Sequence, residues 1–449
     1  MKYCLLHLGC QMNQSDAERV RTVIEGLGYE RTENEQDADL LGIVACSVRQ
    51  KAIDKAYARI RAWNSWKGSR NLVTFATGCI LPADREKFLT LFDLVFDITE
   101  IPQLPDLIRQ YGVVTPLGIS GVIPPESLRN AATGYWRIQP RYSSRFEAYV
   151  PIQNGCDKFC TFCAVPHTRG PEVSRPSSEV LGEVARLVES GYRSITLLGQ
   201  NVNSYGLDRN GEEISFADLL RGVGEIGNAS GREFWVYFTS PHPRDMTEEA
   251  LRVIAEYPCL ARQIHLPIQS GDDRILIRMN RNYMVDQYRE KVRLVRSILP
   301  DATLFTDIIV GFSGETEEAF ENTRLAMREF QYNMAYVAMY SPRPGAASWR
   351  WEDDVPHEEK NRRLHELSDE LVATSSAYNR AMIGRDYKVL VEGRDRKPGC
   401  LSAKTEGRII VRFASEDESL IGQFTTVRIT SAAALSVEGE LAERLSPVA

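Results

Sequence analysis

The sequence predicts an α/β protein in three parts: a parallel α/β domain, a barrel or partial barrel of βα units, and a small C-terminal β-barrel. Apolar strand patterns alternate with helical patterns over residues 1–117 and again over 146–382, which is typical of parallel βαβ units. Over 384–449, short apolar runs separated by glycines replace this alternation. Residues 118–145 contain Pro124-Pro125 and no regular period, so we predict a linker there.

The first part places a cysteine after each of its predicted strands. Cys10, Cys46 and Cys79 follow the three strands in turn. Because the carboxyl ends of parallel strands lie along one edge of a sheet, we expect these cysteines to meet there, which favours metal binding. The strands are predicted at 3–8, 39–45 and 72–77, and the helices at 15–27, 48–63 and 82–91.

The middle part predicts six βα units, and such a series favours a barrel or a partial barrel. The loops after the strands form the active-site face of these folds. Gln200, Ser240 and Gln269 end successive strands, so we expect them to face a cofactor or substrate. Asp307 either does the same or orients a neighbour. The strands are predicted at 148–153, 194–198, 234–238, 263–267, 304–310 and 335–339, and the helices at 178–189, 216–224, 248–256, 285–299, 315–330 and 357–382.

The last part predicts four strands, at 389–392, 401–403, 409–413 and 426–430. Ten Lys and Arg residues balance ten Asp and Glu residues over 384–449, so this part carries no net charge. One basic cluster lies beside a glycine-rich turn, and its residues are Arg394, Arg396 and Lys397.

Composition is ordinary for a soluble globular protein, with 43% hydrophobic and 26% charged residues. No apolar run approaches the roughly 20 residues that cross a bilayer, and the N-terminus lacks a signal-peptide pattern. We therefore expect a cytoplasmic protein with no membrane partner. The net charge of −7 argues against indiscriminate nucleic-acid binding. In a reducing cytosol, the nine cysteines are expected to be metal ligands or core residues rather than disulfides.

Three of the cysteines form one compact motif, Cys156-x3-Cys160-x2-Cys163, after the first strand of the middle part. Three thiolates on one tight loop suit three irons of a [4Fe–4S] cluster and leave the fourth iron open. The amino and carboxylate groups of S-adenosylmethionine (SAM) can bind that iron, and an electron from the cluster can then cleave the sulfonium. Structural zinc is the alternative, although zinc sites more often pair Cys-x2-Cys units with a fourth protein ligand.

The chain resembles a known family, the radical SAM methylthiotransferases, along nearly its whole length. The C-terminal part is similar to the family's TRAM domain, a small RNA-binding β-barrel. This resemblance implies that the basic cluster Arg394, Arg396 and Lys397 contacts RNA, because small barrels recognise RNA through local basic and stacking groups rather than through total charge. The alternative is a part that only supports the large barrel. The matching runs occur in the family's order and are GCQMN (9–13), CSVR (46–49), GC (78–79), GCDKFCTFC (155–163), PHTRG (166–170), SRP (174–176), HLPIQSG (265–271) and DIIVGF (307–312).

The resemblance implies a (β/α)6 partial TIM barrel, two [4Fe–4S] clusters and SAM. Cys156, Cys160 and Cys163 would hold the SAM-cleaving cluster. Cys10, Cys46 and Cys79 would hold an auxiliary cluster that carries the sulfur to be transferred. One SAM methylates that sulfur, and a radical from a second SAM removes hydrogen from C2 of an adenine, which then takes the methylthio group.

Within the family, the runs at 11–13 and 168–176 are most similar to the branch that acts on N6-dimethylallyl (isopentenyl) adenosine at position 37 of tRNA, beside the anticodon. The alternatives are the same chemistry on threonylcarbamoyladenosine in tRNA or on an aspartate of a ribosomal protein. A non-catalytic iron–sulfur scaffold that binds RNA is the alternative from another class. The expected partners are tRNA, an electron donor of flavodoxin or ferredoxin type and a sulfur source, and we expect a monomer.

Several residues have a packing alternative beside a functional one. Phe162 either flanks the adenine of SAM or packs in the core. We expect His265 to pack in the barrel rather than to bind metal. Arg169 and Arg175 either bind a phosphate or a SAM carboxylate or form exposed ion pairs. The remaining cysteines are expected to be structural: Cys4, Cys259 and Cys400.

Overall fold

The computed structural model describes residues 1–110 and 134–442 of the chain. Much of the predicted linker at 118–145 and the last residues of the predicted C-terminal part therefore lie outside the described residues. No helix within the described ranges is long and apolar enough to cross a membrane. Short 3-10 turns lie at Glu35–Asp37, Ile98–Gln103, Val202–Ser204, Leu207–Arg209, Pro243–Asp245, Ala347–Arg350 and Glu418–Leu420.

The first part is a five-stranded parallel sheet covered by apolar clusters on both faces, as parallel sheets require. Its strands are β1 (Lys2–His7), β2 (Glu30–Arg31), β3 (Leu40–Cys46), β4 (Val73–Cys79) and β5 (Leu94–Val95). They lie in the order β2-β1-β3-β4-β5. The edge strands β2 and β5 escaped prediction, because two residues show no periodicity. The helices are α1 (Gln11–Gly26), α2 (Gln50–Trp66), α3 (Pro82–Leu91) and α4 (Leu104–Gln110).

The middle part confirms the predicted partial barrel of six parallel strands. Two three-stranded sheets, β10-β9-β6 and β11-β12-β13, are joined by a parallel bridge between Val236 and Leu260. The strands are β6 (Glu147–Pro151), β7 (Gln153–Asn154), β8 (Val173–Ser174), β9 (Ser194–Leu198), β10 (Trp235–Phe238), β11 (Gln263–His265), β12 (Thr303–Val310) and β13 (Met334–Met339), of which β7 and β8 pair separately. The helices are α5 (Val165–Arg169), α6 (Ser177–Glu189), α7 (Phe216–Ser230), α8 (Glu248–Glu256), α9 (Asp273–Arg278), α10 (Val285–Ile298), α11 (Glu317–Phe330) and α12 (His357–Ala381).

The barrel strands pack against the helices with one face and make polar contacts inside the barrel with the other. On β9, Ile195 and Leu197 belong to the large apolar cluster that also includes residues of the surrounding helices. Thr196 lies between them, is also buried, and accepts a hydrogen bond from Arg408 of the last part. Alternation along a strand points successive side chains to opposite faces, so the polar contact lies on the inner side of the barrel.

The last part is a closed five-stranded barrel, β14-β15-β16-β18-β17. The sequence predicted four of its strands and missed β18, where Gly439 and two glutamates interrupt the apolar run. Gly439 is required there, because a Cβ at this position would lie 2.4 Å from the carbonyl oxygen of Arg428. The strands are β14 (Asp386–Arg394), β15 (Cys400–Thr405), β16 (Ile410–Ala414), β17 (Phe424–Ala432) and β18 (Ser436–Leu441).

The turn between β15 and β16 joins this small barrel to the large one. Thr303 Oγ1 donates to the carbonyl oxygen of Gly407 at 2.8 Å, and the Arg262 amide donates to Glu406 Oε1 at 2.9 Å. The guanidinium carbon of Arg408 lies 4.1 Å from the ring centre of Tyr237 on β10. The turn therefore inserts at the amino-terminal ends of the large barrel's strands, opposite the predicted active-site face.

Candidate cysteine centres and the neighbouring cavity

The cysteines of the first part gather at one edge of the parallel sheet. Cys46 and Cys79 are the last residues of β3 and β4 and are direct register partners. Cys10 lies three residues beyond the end of β1, at the start of α1, rather than at the strand end as predicted. All three line one cavity of about 780 Å³. The edge thus presents three thiols to a single space.

Polar side chains hold these thiols in place. The Cys10 thiol donates to Asn13 Oδ1 at 3.4 Å, while Asn13 Nδ2 donates to the Ala45 carbonyl at 3.0 Å. Arg169 Nε donates to Cys79 Sγ at 3.0 Å. A hydrogen bond from the Cys79 thiol lowers the pKa of Cys46 to about 7. That same bond, together with burial, raises the pKa of Cys79 well above its usual range.

The Cys156–Cys160–Cys163 motif forms a compact loop between β7 and α5. Its ends are closed by backbone hydrogen bonds, from the Cys156 amide to the Gly170 carbonyl at 3.2 Å and from the Cys163 amide to the Cys160 carbonyl at 3.0 Å. Arg281 Nη1 donates to Cys160 Sγ at 3.3 Å. Burial raises the pKa of Cys156 to about 12 and that of Cys163 to about 11. Thiolates in this loop therefore need compensating positive charge, which a bound metal cluster would supply.

Both cysteine sets fit the chemistry of iron–sulfur clusters. Each set offers three thiols with an arginine N–H aimed at one sulfur, and N–H donors to the sulfurs are among the features that tune such clusters. Among the residues that the structure describes, no three or more His, Cys, Asp or Glu side chains lie close enough to share one metal ion. A four-iron cluster has a different requirement, because each thiolate binds a separate iron.

The cavity begins at the cysteine edge of the first part, passes the carboxyl ends of the barrel strands and continues inside the barrel as far as Gln263 and Arg408. Three of the predicted cofactor-facing residues line it: Gln200, Ser240 and Asp307. Arg408 reaches it from the C-terminal barrel. A space of this size is typical of a small-molecule site, and all three parts of the chain contribute to its walls. Its other lining residues include His7, Met12, Leu198, Phe238, Gln263, Phe305 and Tyr336.

The predicted cofactor-facing residues differ in their roles. Gln200 Oε1 accepts a hydrogen bond from the Gly155 amide at 2.6 Å, so it links the cavity to the cysteine loop. Asp307 Oδ2 lies 3.1 Å from His265 Nε2. His265 also lines the cavity, whereas we expected it to pack within the barrel. Ser240 has a φ of +58°, a left-handed conformation that turns the chain at the end of β10.

Two predicted residues lie outside the lining of this cavity. Phe162 packs edge-on against Phe312, with ring centroids 6.5 Å apart, so the structure places it in a core contact. Gln269 is buried, with its amide donating to the Asp307 carbonyl and its carbonyl accepting from the Ile309 amide. Its backbone extends the pairing of β12.

The two arginines of the motif after the loop are buried, and neither forms the exposed ion pair that we considered. Arg169 pairs with Asp16 at 2.5 Å, and Arg175 pairs with Glu183 at 2.5 Å. The side chains of both pairs are at most 5% exposed. The sequence pattern could not reveal these buried ion pairs, because Asp16 lies far from Arg169 along the chain and Glu183 lies on the helix that follows Arg175.

The candidate RNA residues lie on the surface of the C-terminal barrel. Arg394 and Lys397 are 77% and 56% exposed, and each has an acidic neighbour, Glu418 and Glu438 respectively. Arg396 is also exposed. Of the remaining cysteines, Cys4 and Cys259 contribute to apolar clusters, and Cys400 begins β15.

Three side chains shape the site through contacts that the sequence did not predict. Asn13 and Arg169 lie within the matching runs, but nothing in their spacing indicates a contact with sulfur. Arg408 lies in a turn of an all-β segment, and no motif marks it. Their roles depend on contacts between parts of the chain that only the fold brings together.

The sequence also matches known protein families and structures. The Radical SAM superfamily matches residues 150–326, Uncharacterized protein family UPF0004 matches 2–97, and the TRAM domain matches 380–442. Structures with a similar fold include the radical S-adenosylmethionine methyltransferase TsrM from Kitasatospora setae (TM-score 0.57, 12% identity, 77% of this chain and 73% of that chain). The cobalamin-dependent S-adenosylmethionine radical enzyme OxsB is also similar (TM-score 0.53, 14% identity, 73% and 51%).

Curated relatives are similar over almost the full length. The tRNA-2-methylthio-N(6)-dimethylallyladenosine synthases of Francisella tularensis subsp. novicida (strain U112) and Francisella philomiragia subsp. philomiragia are each 37% identical over 441 residues. The alignments cover 97% of this chain and 97% of each relative. On this full-length identity, the chain belongs to the radical SAM methylthiotransferases, the family of the tRNA-2-methylthio-N(6)-dimethylallyladenosine synthases.

Proposed function

We propose that this enzyme adds a 2-methylthio group to N6-dimethylallyladenosine at position 37 of tRNA. Family membership implies SAM and iron–sulfur cofactors, and we propose two [4Fe–4S] clusters. The observation that carries the proposal is the cavity that Cys10, Cys46 and Cys79 line and that Gln200 links to the Cys156 loop through the Gly155 amide. Sulfur transfer to a carbon radical requires the sulfur site and the radical site to reach one substrate. The activity for which the relatives are named supports the choice of nucleoside.

Each cysteine set has its own proposed role. Cys156, Cys160 and Cys163 hold the SAM-cleaving cluster, and the thiols of Cys10, Cys46 and Cys79 hold the auxiliary cluster. When bound, these groups and SAM supply the electron, the radical and the sulfur that the side chains of the protein cannot supply. The chain's own task is to fix one set of thiols in the cavity wall and the other on the loop that Gln200 links to the cavity, and to place a base within reach of both.

The polar residues of the cavity are suited to orienting the bound molecules. Gln200 is held by the Gly155 amide, so a cofactor bound at the cysteine loop and a substrate in the cavity are positioned by one connected element. His265 and Asp307 place a paired donor and acceptor on the barrel side. This partly exposed polar pair is accessible from the cavity and favours ligands that complete its hydrogen bonds, which is a route to selectivity.

The remaining parts of the proposal concern organisation and partners. We propose functional boundaries at 1–117, 118–145, 146–382 and 384–449. The C-terminal barrel contacts tRNA through Arg394, Arg396 and Lys397. An electron donor of flavodoxin or ferredoxin type and a separate sulfur source complete the turnover, and the working unit is a monomer.

Mass spectrometry of tRNA nucleosides tests the substrate directly. Cells that lack this protein are expected to accumulate N6-dimethylallyladenosine and to lose its 2-methylthio derivative, and the intact gene should restore that derivative. Loss of the methylthio form of threonylcarbamoyladenosine, or of a methylthio-aspartate in a ribosomal protein, would instead assign the same chemistry to another substrate. No change in any methylthio product would contradict the proposal.

A further inference from the structure

Arg169 is buried where the first part of the chain meets the large barrel, with 1% of its side chain exposed. It ends α5, the short helix that follows the cysteine loop. Its Nε donates to Cys79 Sγ at 3.0 Å, and its Nη2 donates to Asp16 Oδ2 on α1 at 2.5 Å. The guanidinium therefore reaches across the interface from the loop of one cysteine set to a thiol of the other.

The segment around Arg169 also closes the Cys156 loop. Asn154 Nδ2 donates to the Arg169 carbonyl at 3.2 Å, and Arg169 Nη1 donates back to Asn154 Oδ1 at 3.2 Å. The next carbonyl, that of Gly170, accepts from the Cys156 amide. Any shift of Arg169 would therefore move both the Cys156 loop and the donor at Cys79.

The ion pair alone does not explain the contact with sulfur. A buried arginine needs a compensating charge, and Asp16 provides it through both of its carboxylate oxygens. Tyr135 Oη donates to Asp16 Oδ1 at 2.7 Å and so fixes the carboxylate. With both Nη groups occupied by Asp16 and Asn154, the remaining Nε–H is aimed at the sulfur. This geometry leaves a directed, charge-assisted donor at one thiol of the auxiliary set.

We propose that Arg169 is a positioning residue that orients Cys79 and raises the reduction potential of the auxiliary cluster, while anchoring the SAM-cleaving loop. The inference rests on the proposed function, since it requires a cluster at Cys10, Cys46 and Cys79. Reduction makes a cluster more negative, and hydrogen bonds to its sulfurs and nearby positive charge favour that state. Because the group is buried, solvent and salt screen its charge only weakly.

The test separates the sulfur contact from the ion pair. The full-length chain is reconstituted with iron and sulfide in a background in which Cys156, Cys160 and Cys163 are all changed to Ala, so that only the auxiliary cluster gives a signal. Asp16→Asn removes the carboxylate and keeps the donor at Cys79. Asp16→Asn combined with Arg169→Gln removes both charges together, whereas Asp16→Asn alone leaves the buried guanidinium facing only the negative charge of the loaded cluster, so circular dichroism and thermal midpoints first establish that both variants are folded. Arg175→Gln is a further control, because Arg175 is equally buried and pairs with Glu183.

The measurements are iron content and the midpoint potential from a redox titration followed by electron paramagnetic resonance. We expect about four irons in every variant, with a more negative midpoint only in the double variant. Equal midpoints in Asp16→Asn and in the double variant, with iron intact, would overturn the role of Arg169 and leave the proposed function standing. A parent protein without iron in this background would overturn both. If Arg175→Gln lowers the midpoint as much as the double variant does, the shift reflects general loosening and the inference is wrong.

Discussion

Replacing Gly155 by alanine should disable the Cys156 loop first, because the clash falls on the segment that closes this loop. Gly155 has a φ of +82°, and a Cβ there would lie 1.9 Å from the Pro171 carbonyl oxygen and 2.6 Å from that of Gly170. Both contacts are backbone atoms that cannot rotate away. The left-handed conformation costs about 1–2 kcal/mol for alanine. Forcing a methyl group into a filled site costs a further amount of about 3 kcal/mol at most. A cost of that size lowers the population of the native loop roughly a hundredfold.

Gly384→Ala is the matched control for this prediction. Its φ is +81°, but nothing lies within 4 Å of the added Cβ, so it carries the conformational cost without the clash. After anaerobic reconstitution and a timed chelator challenge, we expect about four irons in Gly155→Ala and about eight in both Gly384→Ala and the parent. Equal iron retention in the two variants would refute the steric argument.

Three further predictions test other contacts of the fold. Gly78→Ala, whose Cβ would lie 2.4 Å from the Ala45 carbonyl oxygen, should lose the auxiliary cluster while SAM cleavage persists; an unchanged iron count would contradict this. Arg408→Ala should weaken the contact between the two barrels by about 2 kcal/mol, because its stacking on Tyr237 and its hydrogen bond to Thr196 disappear. Arg412→Ala, which removes partly exposed ion pairs within the small barrel, should change stability much less than Arg408→Ala does. Thermal midpoints and hydrogen exchange of β9 and β10 compare the two variants. Changing Arg394, Arg396 and Lys397 together to serine should lower tRNA affinity and leave SAM cleavage without RNA unchanged. The slope of log affinity against log salt should flatten by about one unit for each phosphate that is no longer bound. Equal binding across a salt series would assign the RNA contact elsewhere.

The fold was largely predictable because its signals are local. Strand β3 is buried along its whole length and carries a continuous apolar run, and each barrel strand is followed by a helix with a strong apolar face. The elements that escaped were those without such a signal. Strands β2 and β5 have only two residues each. Strand β18 contains Gly439, which is needed because the backbone of the neighbouring strand β17 leaves no room for a side chain.

The site was predictable in its cysteines and less so in its other residues. Cys46 and Cys79 follow strands, and parallel pairing places them side by side by register alone. Gln269 follows the same positional logic, yet its backbone extends the pairing of β12. Phe162 was singled out because it lies between two cysteines of the motif, and it packs on Phe312, which was the alternative. Position after a strand indicates proximity to the active-site face, whereas side-chain direction depends on packing from distant segments.

The inserted turn also changes how the parts of the chain relate. Glu406, Gly407 and Arg408 bond to the amino-terminal ends of the barrel strands, and Arg408 lines the cavity. Deleting the C-terminal barrel would therefore remove a wall of the cavity as well as the candidate RNA contact. Point substitutions on the exposed face separate the two roles more cleanly than truncation does.

Iron content combined with SAM cleavage tests the central claim, that two cysteine sets hold two clusters with different tasks. The parent protein, fully reconstituted without oxygen, should bind about eight irons. With Cys10, Cys46 and Cys79 all changed to Ala, it should bind about four and still form 5′-deoxyadenosine under reducing conditions. With Cys156→Ala, 5′-deoxyadenosine formation should stop. A parent protein that binds only four irons, or a Cys156→Ala variant that cleaves SAM at the parent rate, would contradict the account.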